Sequence, residues 1–250
     1  MSQSVSSQPR EDADIESSSE RYQRRFRGPV GRWFLDLQRR LTLACLEGIP
    51  PGSEILDVGG GHAQVAPALV DAGYAVTVVG SDPSCGRLME PWTEAGRCRF
   101  EVADLLGLPY KNHAFDAVIC YRMLAHSVNW TGLIAELCRV SRHRVIIDYP
   151  ARRSVNILSH SLFDLKRSVE GNTTRRYALY GRRQMARAFE SAGFRVTVEH
   201  PQFLLPMVFY RLTGAAGLGR ALETPARVFG LTQAFGSPVI LRADRRVGSS

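Results

Sequence analysis

Paired cysteines, lysine and long apolar runs are scarce in this 250-residue chain, and each shortage excludes something. Cys45, Cys85, Cys98, Cys120 and Cys138 are odd in number and never fall in a C-x-x-C pair, so neither a disulfide framework nor a zinc or other metal site is expected. The strongest apolar run, Phe203 to Tyr210, is broken by Pro206 and closed by Arg211, far short of the roughly 20 residues that span a bilayer. No basic-then-apolar leader opens the chain. A protein of the reducing cytoplasm is the resulting expectation. Lysine is confined to Lys111 and Lys166, which leaves the positive charge almost entirely to arginine.

At 44% hydrophobic residues, the chain can bury one substantial core, and a single domain over 21–250 is expected. The first twenty residues differ. They are rich in Ser, Gln and acids, carry Arg10 against Glu11, Asp12, Asp14, Glu16 and Glu20, and read as a disordered tail. The positive charge of the remainder is uneven. Seven arginines stand against Asp36 in 21–40, and eleven arginines with Lys166 stand against Asp148, Asp164 and Glu170 in 139–187. A basic surface of this kind suits nucleic acid, an anionic membrane surface contacted peripherally, or a phosphorylated substrate; solvated arginine is the plain alternative.

The most informative run is Glu54-Ile55-Leu56-Asp57-Val58-Gly59-Gly60-Gly61-His62-Ala63. Ile55 to Val58 reads as a buried strand, the glycines supply backbone that can approach a ligand closely, and Gln64 to Ala72 has helical apolar spacing. Ala75 to Val79 is a second strand running into Gly80-Ser81-Asp82, which sets a carboxylate 21 residues beyond Gly61, where a βαβ unit can offer it to a ribose. The dinucleotide fingerprint would need its third glycine at Gln64, so NAD is disfavoured. A helix N-cap is the structural alternative for Asp82.

These residues resemble the first motif of class I S-adenosylmethionine (SAM) methyltransferases, with Ala63 in place of the last glycine. Val79-Gly80-Ser81-Asp82-Pro83-Ser84 and Phe100-Glu101-Val102-Ala103-Asp104-Leu105 are similar to the next two motifs of the branch that includes ubiquinone and menaquinone C-methyltransferases. Phe115 to Cys120 with Leu124-Ala125-His126 is similar to the fourth strand and its loop, and Leu133 to Val140 to the following helix. The resemblance covers about residues 50 to 150. It implies a Rossmann-like α/β fold with a seven-stranded, mostly parallel sheet, the last strand antiparallel and inserted between the fifth and sixth.

The resemblance also implies roles. Asp57, Gly59, Gly60 and Gly61 would hold the methionine part of the cofactor SAM, Asp82 with Pro83 the ribose, and Asp104 with Leu105 the adenine, with Tyr121 nearby. His126 and Tyr121, on the loop where similar enzymes approach the methyl group, are the catalytic candidates; by position after the fourth and fifth strands, Arg122 and Asp148-Tyr149 could orient the acceptor. The substitution of Ala63 for glycine is expected to need only a little more room behind the ligand.

Two segments lie outside this core. An N-terminal helical arm, 21–48, carries Phe26, Trp33 and Phe34 among arginines, and a lid-like insertion, 202–236, carries Phe203, Met207 and Tyr210. Together they could form an apolar roof over a small hydrophobic acceptor, aromatic, quinone-like or lipid-like. The alternatives are ordinary helix packing, a non-catalytic SAM-binding scaffold or partner subunit, and an RNA methyltransferase. Nucleic acid is disfavoured: Cys-Tyr-Arg-Met follows the fourth strand where adenine methylases carry Asn/Asp-Pro-Pro-aromatic, and no glycine-aromatic RNA-binding signature is present.

Overall fold

The computed structural model describes residues 11–154, 177–246 and 248. One sheet holds β1 (Glu54–Val58), β2 (Ala75–Gly80), β3 (Arg99–Val102), β4 (Phe115–Cys120), β5 (Ser141–Tyr149), β6 (Phe194–Pro201) and β7 (Val239–Arg245) in the order β3-β2-β1-β4-β5-β7-β6. Strands β1 to β5 pair in parallel, and β7 runs antiparallel to both β5 and β6. This is the Rossmann-like topology expected from the sequence.

Side chains alternate across a strand, and the alternation divides the core in two. Leu56, Val58, Val79, Val118 and Cys120 pack on one face of the sheet, while Ile55, Val76, Val78, Ala117 and Ile119 pack on the other. Burying each such aliphatic side chain is worth about 1.5–3 kcal/mol.

Ten helices surround the sheet among the described residues: α1 (Ala13–Ser17), α2 (Glu20–Gln23), α3 (Gly28–Cys45), α4 (Ala66–Asp71), α5 (Glu90–Glu94), α6 (Trp130–Val140), α7 (Arg182–Ser191), α8 (Met207–Thr213), α9 (Ala216–Val228) and α10 (Leu231–Phe235). None is long and apolar enough to cross a membrane. The helix after the glycine turn starts at Ala66 rather than Gln64, because Gly60–His62 makes a 3-10 turn and Ala63 is left-handed.

The arm helix α3 buries Val30, Trp33, Phe34, Leu37, Thr42 and Cys45, which recur at helical spacing, and Pro29 sits in its first turn where no intrahelical donor is lost. Its C-terminal end is tied to the sheet by Arg144, which donates to the carbonyls of Cys45 and Glu47 at 2.8 Å each and pairs with Asp244 at 2.7 Å. The cation thus meets the carbonyl-rich end of the helix, where it is favoured.

Residues 11–20 correct the expectation of an unstructured tail. They form α1 and the start of α2, with Ala13, Asp14, Ser17 and Ser18 buried. A polar stretch with no core of its own becomes ordered here because the sheet supplies backbone donors and an apolar shelf to receive it. Residues 1–10 lie outside the described residues, as do Lys166, Arg167, Arg175 and Arg176 of the basic stretch.

Candidate functional site

The turn after β1 is built by glycine for steric reasons that can be named. Gly59 has φ of +72°, and its N–H donates to the Val79 carbonyl at 2.8 Å. A Cβ on Gly60 would lie 2.1 Å from Asp57 Oδ2, and one on Gly61 would lie 2.1 Å from the Cys85 carbonyl oxygen. Ala63 also has a positive φ, +54°. The glycine expected there therefore answers to backbone conformation rather than to room behind a ligand, and alanine in the left-handed region costs about 1–2 kcal/mol.

Asp57 closes the floor of the turn. It is fully buried, and neither carboxylate oxygen has a hydrogen-bond partner. Burial pushes its pKa up to about 7, against a smaller opposing pull from Arg122. His62 is also buried; its Nδ1 accepts from the Gln64 N–H at 3.3 Å, which puts the proton on Nε2, a donor without a partner. Burial first, and Arg122 second, hold this imidazole neutral, well below its ordinary pKa.

Arg122, directly after β4, ties these groups to the arm. Its guanidinium donates to Gln64 Oε1 and, at 2.8 Å, to Gln38 Oε1 of α3, and it lies 4.4 Å from the ring centre of Phe26. Its N–H donates to Asp148 Oδ1 at 2.6 Å. The φ of Arg122 is +64°, an uncommon conformation for a residue with a side chain, of the kind that clusters at functional sites. The amide nitrogens of Gln38 and Gln64 are buried without partners beside it.

The other expected cofactor residues stand at strand ends as the topology requires. Asp82 follows β2 and caps the 3-10 helix Pro83–Met89, its Oδ1 accepting from Ser84 N–H at 2.8 Å and Ser84 Oγ at 2.6 Å. These bonds, the hydroxyl's first, lower its pKa. Asp104 follows β3 and accepts from the Leu106 N–H at 3.0 Å, while Leu105 is fully buried in the core.

Tyr121 and Tyr149 both have hydroxyls engaged by neighbouring side chains. Tyr121 continues the alternation of Ala117 and Ile119 into the second core, where its hydroxyl meets Thr42 Oγ1 at 2.8 Å and burial raises its pKa strongly. The Tyr149 hydroxyl donates to Glu199 Oε1 at 2.7 Å. His126 lies on the loop before α6, half-buried, with its ring centre 5.6 Å from that of Tyr177.

The residues expected in the roof come together. Trp33 meets Phe203 at 5.1 Å and Tyr210 at 5.3 Å between ring centres, and Met207 packs on the same cluster. A Cβ on Gly219 of α9 would lie 2.6 Å from the Trp33 ring, so the insertion presses directly on the arm. Phe26 belongs to this cluster and also lies under Arg122, so the roof and the glycine turn form a continuous structure.

The profile of the methyltransferase domain family matches residues 24–199, most of the chain. The chain belongs to that methyltransferase family. An O-methyltransferase of Pyrenophora dematioidea is 28% identical over 111 residues, 41% of this chain and 41% of that protein, so the match spans well under half of the relative's length. Among solved structures, the magnesium protoporphyrin IX methyltransferase of Synechocystis PCC 6803 with bound S-adenosylhomocysteine (SAH) superimposes with a TM-score of 0.62 at 16% identity, over 91% of this chain and 94% of that one. Geranyl diphosphate C-methyltransferase from Streptomyces coelicolor A3(2) gives 0.59 at 17% identity, over 84% and 79%. At these identities the likeness is one of fold.

The site's chemistry fits SAM, which is bound in one of the solved structures of this fold. A buried carboxylate without donors, side-chain amides without acceptors and a turn in which a Cβ would clash suit a ligand bearing an ammonium, a carboxylate and ribose hydroxyls. Sequence reasoning missed His62 and Gln38. His62 lies inside the quoted motif, but nothing in a single sequence separates it from a turn residue; Gln38 is brought to the site only by tertiary packing.

Proposed function

We propose that this methyltransferase transfers the methyl group of SAM to a small, largely hydrophobic acceptor held under the roof formed by the arm, 21–48, and the insertion, 202–236, of a single domain spanning 21–250. The carrying observation is the aromatic cluster of Trp33, Phe203 and Tyr210, joined through Phe26 and Arg122 to the glycine turn. An aromatic, quinone-like or lipid-like acceptor suits such walls. The related folds act, by name, on magnesium protoporphyrin IX and geranyl diphosphate.

The cofactor supplies a methyl group on a sulfonium that leaves readily. What remains for the protein is alignment, worth about 7–11 kcal/mol in favourable cases, and exclusion of water from a step that cancels charge. In this reading Asp57 with Gly59, Gly60 and Gly61 holds the methionine part, and Asp104 with Leu105 holds the adenine. Asp82 takes the ribose through Oδ2, since both Ser84 bonds go to Oδ1. Arg122 fixes the turn against the arm. Tyr121 and Tyr149 act as walls and not as proton carriers, because their hydroxyls are committed and their pKa values raised by burial. His126 is the remaining candidate base, needed if the nucleophile is a hydroxyl.

The test is transfer of label from SAM to a panel of apolar aromatic, isoprenoid and RNA acceptors, by the wild type and by His126→Ala. Labelling of an apolar acceptor is expected, with a roughly 100-fold fall in turnover and unchanged SAM affinity in the variant if a base is used. Label on RNA alone, or SAM binding with no transfer, favours an RNA methylase or a non-catalytic scaffold, and near wild-type turnover removes His126 from the mechanism.

The same insertion supports peripheral contact with an anionic bilayer. Phe209, Leu212, Leu218, Leu222, Val228 and Phe229 are exposed, and its single acid, Glu223, is buried while Arg220 is exposed. Apolar side chains with positive charge suit a headgroup boundary. Co-sedimentation with phosphatidylserine vesicles that weakens with salt is expected; no association with such vesicles would end this reading.

A further inference from the structure

On the cofactor site proposed above, on which this inference rests, segment 11–19 occupies the place assigned to SAM. The α1 helix crosses the carboxyl ends of β1 and β2, and Asp14 is fully buried there. Its Oδ2 accepts from the Ser81 N–H at 2.7 Å and its Oδ1 from Ser81 Oγ at 2.6 Å. Asp14 Cβ is 3.4 Å from the position of a Cβ on Gly59, and Ser18 Oγ is 2.8 Å from that of one on Gly61. Ala13 packs in the cluster that holds Leu56, Val58, Val79, Leu105 and Met123. One short helix and the residue after it therefore cover the glycine turn and the end of β2, two of the places assigned to SAM.

We propose that this N-terminal segment is a tethered competitor of SAM, a plug held by Asp14 on Ser81 that must leave before the cofactor can enter. Tethering makes the competition intramolecular, so even a weak contact is felt at high effective concentration. The contact is suited to displacement. A helix of five residues is not stable by itself. Cofactor affinity is then reduced by the fraction of molecules in which the cleft is open. Changes that weaken the docking of 11–19 raise affinity without touching a cofactor-binding residue.

The test uses the full chain. Asp14→Ala removes both bonds to Ser81, and Ala13→Arg puts a charge where only an apolar side chain fits. Titration calorimetry with SAH is expected to show about tenfold tighter binding by each variant, equivalent to roughly 1.4 kcal/mol. In the wild type, amide hydrogen exchange within 11–19 is expected to accelerate when SAH is added. Unchanged or weaker SAH binding by both variants overturns the proposal. So does exchange in 11–19 that slows on adding SAH, since that marks a segment closing over the cofactor instead of making way for it.

Discussion

Asp57→Asn is expected to weaken SAM binding roughly 100-fold while leaving the cofactor-free protein at least as stable as the wild type at pH 8. The carboxylate is buried without a donor, a costly arrangement, and its pKa is pushed up to about 7. Its ordinary value is 3.8, so between about pH 4 and pH 7 the native state holds a proton that the unfolded state has released. Stability from this group is therefore fully present at low pH and is lost as pH rises through that window. At about 1.36 kcal/mol per unit, the loss is on the order of 4 kcal/mol. Asparagine cannot ionise, so the variant's melting temperature should be flatter across pH 4 to 7 than that of the wild type. If Asp57 takes the proposed place at the cofactor, the same substitution removes a charged acceptor from it, worth about 1.5–3 kcal/mol. Calorimetric titration at pH 8 and thermal melts from pH 4 to 8 check both halves. Retained affinity would remove Asp57 from the site, and an unaltered pH profile would show that its carboxyl is not the group that titrates.

The strands were legible because β-branched and apolar residues run in short segments at the family's spacing, and because glycine at Gly60 and Gly61 is required by contacts only 2.1 Å away. The direction of Tyr121 was latent in the same pattern: Ala117, Ile119 and Tyr121 share parity, so a side chain two residues beyond Ile119 enters the same core. The N-terminal segment was not legible, since composition alone separates a polar tail from a core-forming helix but cannot see that Ser81 offers two donors to Asp14. Arg122 is the intermediate case. Its position after the fourth strand marked it as a site residue, whereas its link to Gln38 spans 84 residues and exists only in the folded chain.

Glu223→Ala is expected to detach the roof without disturbing the cofactor turn. Glu223 is the one carboxylate of the insertion, 3% exposed, and four hydrogen bonds from within 202–236 converge on it. Its Oε1 accepts from the Leu204 N–H at 2.7 Å, the Leu205 N–H at 3.4 Å and the Tyr210 hydroxyl, and its Oε2 accepts from Thr232 Oγ1 at 3.1 Å. Alanine leaves these donors buried and unpaired, at about 1–3 kcal/mol for each that cannot reach water. The loss should fall on the insertion, because all four donors lie within 202–236. Hydrogen exchange in 204–234 is expected to accelerate, with SAM affinity unchanged and kcat/KM for the acceptor lowered at least tenfold, roughly 1.4 kcal/mol. Full turnover from a variant whose insertion has demonstrably loosened would show that the acceptor does not bind beneath it. Lost turnover with an intact exchange pattern would instead place Glu223 itself against the acceptor, because a carboxylate that only braces the helices cannot be removed without loosening them.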